Sequence, residues 1–254
     1  MELELWHIPI LFVIGFLASF LNSLAGGGST ISLPILIHLG IPPLLANGTN
    51  RFAILAGNLA SALSLRSAGF FERGVISKLF LPVVLGAVLG AYLAIGLSDL
   101  VFRILLAAAL LFVVVASNLP TPKLNDKDEN RPKPKVWLMS LAFFFVGFYG
   151  GLIQVGVGFF LIYSLTKFTG FDLLRVNALK AIVSVLFIFT STLIFIKSGF
   201  VVWEAALVQA AGGIAGGYIG GNFQINKGEK IIKRAIQLDA LFMAGRLVWD
   251  VWKS

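Results

Sequence analysis

The chain has 254 residues, of which 58% are hydrophobic and only 13% charged, whereas a soluble domain carries about 25% charged residues. A soluble fold of this composition would have no surface to offer water, so the expected class is an all-α polytopic membrane protein. There is no Cys, and His7 and His38 are the only histidines, so thiolate chemistry is excluded and neither a metal site nor a catalytic triad is expected.

The net charge of +8 lies mostly between apolar blocks. That distribution reads as control of membrane orientation rather than nucleic-acid binding. The N-terminus MELELWHIPI carries acids and no Lys or Arg, so no cleavable signal peptide is expected.

The apolar blocks run over 8–25, 30–45, 52–66, 76–97, 99–117, 137–155, 157–168, 173–196, 200–222 and 231–252. The stretch between 117 and 136, SNLPTPKLNDKDENRPKPK, holds four prolines and eight charges. It cannot span lipid and reads as a flexible linker. The expected organisation is a first transmembrane repeat at 1–117, a cytoplasmic linker at 118–136 and a second transmembrane repeat at 137–254, with about 8 to 10 membrane segments.

Internal matches support a duplication. LLANGTNR, ending at Arg51, lies over LLRVNALK, ending at Lys180, and SAGF at 67–70 lies over KSGF at 197–200. Gly86 and Gly90 lie over Gly216 and Gly220, and DLVFR at 99–103 lies over 229–233. Several matches in order, at a near-constant offset of 129–130 residues, mark a repeat.

Each half opens with two apolar pieces around a glycine break. The blocks 30–45 and 157–168 are short, since a crossing helix needs about 20 residues. Each pair is therefore one interrupted crossing, a re-entrant hairpin or two short crossings. The last two share the same parity. They place 15 Lys and Arg on one side and 5 on the other, whereas single crossings split the 20 about evenly. The uneven split satisfies the positive-inside rule. It puts both termini outside, the linker in the cytoplasm, and the two halves in inverted orientation.

The break in the first half reads NSLAGGGSTISLP, residues 22–34. Discontinuous helices in inverted repeats present positive half-helix N-termini near the bilayer midplane. Lipid offers those N–H groups no partner, whereas an anion does. Gly26, Gly27 and Gly28 let the backbone turn and approach a ligand; Asn22, Ser23, Ser29 and Thr30 surround them with polar groups. In the second half Gln154, Gly156 and Gly158 take the equivalent places. Close helix packing is the alternative role for these glycines. For Gly212, Gly216 and Gly220, with the parallel stripe Gly213, Gly217 and Gly221, packing is the preferred role.

The second polar cluster is NGTNR, residues 47–51, which reads as the opening of the next helix with Asn47 or Thr49 as a cap. Its functional reading makes Thr49, Asn50 and Arg51 anion ligands, with Asn58 two turns deeper and Asn177 and Lys180 as the equivalents in the second half. Arg51 suits a bidentate oxyanion, and Lys180 acts as a point charge. In the last block, Asp239 shares a helix face with Arg246 and is either its structural partner or a residue that couples transport to protons.

GFLASFLNSLAGGGSTISLPILIHLGIPPLLANGTNRFA and GFYGGLIQVGVGFFLIYSLTKFTGFDLLRVNALKAIV together resemble the sulfite exporter TauE/SafE family of membrane permeases. The resemblance extends over the whole chain and implies secondary transport of small sulfur-containing anions such as sulfite or sulfoacetate. The second half departs from the pattern, with VGVGFF where a triple glycine would stand. The expected partners are a small anionic substrate and the lipid bilayer, a homodimer is compatible with these features, and no cofactor or nucleic acid is expected. A passive anion channel is the alternative function.

Overall fold

The computed structural model describes residues 5–67, 69–70, 72–117, 135–227 and 234. Among them there are nine helices: α1 His7–Leu24, α2 Gly28–His38, α3 Pro43–Ser67, α4 Arg73–Ile95, α5 Asp99–Ser117, α6 Val136–Leu152, α7 Val157–Thr169, α8 Leu173–Lys197 and α9 Trp203–Lys227. Three of them, α1, α4 and α8, are long and apolar enough to cross a membrane. Large apolar side chains such as Phe80, Leu85, Leu89, Trp137, Phe145, Leu207 and Tyr218 face outward, while Arg51, Lys180, Asn47 and Asn177 are buried. That distribution fits a polytopic membrane protein, whose exterior meets lipid.

The block expected at 30–45 is not one segment. Helix α2 ends at His38, Gly40 takes φ +89° in the turn, and α3 begins at Pro43. Proline suits that first position, where its missing N–H costs nothing. Consequently Asn47–Arg51 lies one turn inside α3 rather than at its cap.

Helix starts at residues 7, 28, 43 and 73 recur at 136, 157, 173 and 203. The packing crosses between the halves. Gly212 and Gly216 of α9 sit on the backbone of Phe12 and Phe16 in α1, and Gly213 and Gly217 sit on Ala53 and Gly57 of α3. Likewise across the halves, Gly86 and Gly90 of α4 sit on Phe144 and Phe148 of α6, and Gly147 and Gly151 of α6 sit on Val83 and Ala87 in return. The two glycine stripes of α9 thus pack two different helices, because small residues let backbones approach closely.

These registers give direction. Residue numbers rise together along α1, α3 and α9, and together along α4 and α6. Between α3 and α8 they run oppositely: Gly48 lies against Phe195 and Phe200, while Arg51 reaches Ser191. Since α1 and α3 are parallel, α2 must return between them. It does so at once, for Gly28 packs on Ala18 and Asn22 of α1. This is at odds with a single interrupted crossing and fits a re-entrant hairpin and two short crossings alike.

Candidate functional site

The two breaks meet. Gly26, at φ +88°, lies backbone to backbone with Gly158 near the start of α7. The break after α1 closes with the amides of Ala25 and Gly26 both donating to the Leu21 carbonyl (2.8 and 3.4 Å). The break after α6 repeats this with Ile153 and Gln154 donating to Tyr149 (3.0 and 3.3 Å). Gln154 therefore stands where the first half has Gly26, and it adopts φ +69°, a conformation that is costly with a side chain present. The Tyr149 hydroxyl ties this break by donating to the Val155 carbonyl (2.6 Å).

Around the meeting point the polar groups interlock. Ser32 donates to Asn50 Oδ1 (2.6 Å), Asn50 Nδ2 donates to Ser29 Oγ (3.2 Å), and Gln154 Nε2 donates to the same Ser29 oxygen (3.2 Å). Asn22 Nδ2 donates to Asn58 Oδ1 (3.2 Å). Thr30 turns back, its hydroxyl donating to the Gly27 carbonyl (2.6 Å). Helices α2 and α7 begin after Gly27 and Gly156 with no side-chain cap, so their first N–H groups are not satisfied by capping side chains.

The opposite ends of the broken helices are capped across the halves. Arg51, fully buried, donates from Nη1 to the Gly150 carbonyl (3.1 Å) and Ser191 Oγ (2.6 Å), and from Nη2 to the Gly151 carbonyl (2.6 Å). Asn47 donates to the next carbonyl, Leu152 (3.0 Å). Lys180, also fully buried, donates to the carbonyls of Asn22 and Ser23 (2.8 and 2.9 Å), and Asn177 donates to Leu24 (3.0 Å). Three consecutive carbonyls end each broken helix, and an Asn and a cation from the third helix of the other half hold them. Those carbonyls are the negative pole of the helix, so the cations are placed where the macrodipole favours them.

The reading that made Arg51 and Lys180 two arms of one anion clamp did not foresee these partners. Their burial also removes them from the surface charges that set orientation, leaving 14 basic residues against 4 in that count; the bias persists. Thr49 neither caps α3 nor faces an open site: its hydroxyl donates to Leu45 (2.7 Å) and accepts from the Val202 amide (3.0 Å). Asp239 lies outside the described residues. A cavity of about 320 Å³ between α5, α6 and α7 is walled mainly by aromatic side chains, among them Phe112, Phe145 and Phe160, and borders the second break through Tyr149.

Ser32, Ser191, Gln209 and Gln224 are buried polar residues that the sequence reading passed over. Single hydroxyls and amides in apolar helices carry no periodic signal. Asn47 was readable only as a cap, since in the register that pairs Arg51 with Lys180 it lies over Val176.

The profile of the sulfite exporter TauE/SafE family matches residues 11–247. A probable membrane transporter protein of Haemophilus influenzae is 28% identical over 98% of this chain and 98% of its own length. Probable membrane transporter protein ORF9 of a Sinorhizobium species is 31% identical over 98% of this chain and 95% of its own. Probable membrane transporter protein YfcA of Escherichia coli K12 is 27% identical over 96% of this chain and 90% of its own. No solved structure matches the chain significantly. A helical membrane bundle with two facing helix breaks, matched over almost its whole length by this profile, belongs to the sulfite exporter TauE/SafE family of membrane transporters.

Proposed function

We propose that the chain is a secondary transporter that carries a small sulfur-containing anion, sulfite or an organosulfonate such as sulfoacetate, across the cytoplasmic membrane. The anion is held near the midplane between two inverted repeats, and its movement is coupled to an ion gradient. The observation that carries this reading is Arg51. It is fully buried, its Nε–H has no partner, and no carboxylate pairs with it among the described residues. A buried cation of this kind is costly without a counter-charge. An oxyanion supplies the charge and accepts from Nε–H, while the uncapped N-termini of α2 and α7 offer further N–H donors.

The inverted arrangement is supported by the opposite run of α3 and α8, and the orientation by the basic bias. Substrate identity comes from the family's description alone.

The test is thermal stabilisation of purified protein by sulfite, sulfate, sulfoacetate, acetate and chloride, for wild type and Arg51→Ala. A ligand that binds only the folded state raises its stability. Selective stabilisation by a sulfur oxyanion, lost in the variant, is the expected result. Equal stabilisation of both proteins refutes the role of Arg51. In proteoliposomes, a coupled carrier accumulates the anion above equilibrium when an ion gradient is imposed; a channel only equilibrates it.

A further inference from the structure

The end of α1 offers a ring of acceptors. The carbonyls of Asn22 and Ser23 point at Lys180 Nζ (2.8 and 2.9 Å), the Leu24 carbonyl is taken by Asn177 Nδ2 (3.0 Å), and Asn177 Nδ2 is also held by Gln224 Oε1 (2.8 Å). Lys180, Asn177 and Gln224 are at most 1% exposed. Asn177 Oδ1 is buried and has no hydrogen-bond partner among the described residues. Helix-end carbonyls of this kind are what broken membrane helices use to coordinate cations.

We infer that the end of α1 is a carbonyl cage for a cation, and that the chain fills it permanently with its own tethered ammonium, Lys180. The occupant class is a primary ammonium: a compact charge with N–H donors directed at several carbonyls. Two relationships favour a built cage over an incidental contact. The equivalent end of α6 is treated alike, with Arg51 and Asn47 on Gly150, Gly151 and Leu152. Both cations also reach across to the other half, so each fixes a helix end that leads directly into a break. Lys180 is thus a positioning residue for Gly26–Gly28. Its importance for transport rests on the proposed function; the occupancy of the cage does not.

The experiment uses full-length Lys180→Ala with all salts as chlorides at one concentration and no sulfur anion. The substitution deletes the atoms of n-propylammonium. The expected result is a Tm several degrees below wild type, raised by n-propylammonium and methylammonium but not by tetramethylammonium, which has no N–H, nor by n-propanol. Wild type and Lys180→Met, which keeps the hydrocarbon without the charge, show no such recovery. If Lys180→Ala does not survive extraction, the yield of monodisperse protein with and without n-propylammonium is read instead. Recovery by tetramethylammonium equal to that by n-propylammonium, or no recovery by any primary ammonium, overturns the inference. Neither outcome bears on whether Arg51 holds an oxyanion.

Discussion

Gly26 and Gly158 occupy each other's side-chain space: a β-carbon built on either would fall against the backbone of the other. The two halves therefore touch at the breaks themselves, without an intervening side chain. Gly26→Ala and Gly158→Ala are each expected to destabilise the fold by at least the 1–3 kcal/mol or so typical of overpacking, with Gly26 worse because its φ is +88°. Gly74→Ala, at a helical position with nothing within 4 Å, should be neutral or stabilising by up to about 1 kcal/mol. Thermal unfolding in detergent checks all three, and a tolerated Gly158→Ala would disprove the close approach.

Asn47 and Asn177 hold the last carbonyls of α6 and α1. Removing either amide leaves a buried acceptor exposed to no other donor, a loss of about 1–3 kcal/mol. Asn177→Ala should cost more than Asn47→Ala, because it also strips Gln224 Oε1 of its donor. Unfolding midpoints of the two variants decide the order.

Arg51→Lys keeps the charge but not the fork. A single ammonium cannot reproduce bonds to Gly150, Gly151 and Ser191 together with a free Nε–H. The expected result is anion affinity weakened at least tenfold, or about 1.4 kcal/mol, with membrane insertion retained. Isothermal titration with the anion that stabilises wild type measures it, and unchanged affinity would return Arg51 to a purely structural cap.

The absence of cysteine makes orientation testable at single positions. Ser67, the last residue of α3, and Ser198, just after α8, are both exposed, at helix ends that the proposed repeat makes equivalent. A membrane-impermeant maleimide added to intact cells should label Ser198→Cys and spare Ser67→Cys until the cells are opened. Labelling of both from one side would exclude inverted halves.

Proton coupling through Asp239 predicts that Asp239→Asn abolishes the pH-gradient dependence of anion uptake in proteoliposomes. An unaltered dependence removes Asp239 from the coupling.

Composition and periodicity alone made the membrane class legible, and the offset between LLANGTNR and LLRVNALK pointed to a duplication. Hydrophobic content and duplication are properties of the linear chain, so no contact is needed to read them. The stripes of α9 were legible as packing surfaces because a helix converts a spacing of four into one face. What the chain could not disclose was the partner of each stripe, the return of α2 along α1, and the destination of the two buried cations. Those depend on which helices become neighbours, and the glycine stripes pack between halves rather than within them. Arg51 looked like a ligand because its charge stands in an apolar setting. Only the tertiary structure revealed that three carbonyls left open by a broken helix lie within its reach and that of Asn47, and that the same solution is repeated at Lys180 and Asn177. A broken helix in lipid must satisfy its last carbonyls from elsewhere in the protein, and which residues do so is decided by the fold.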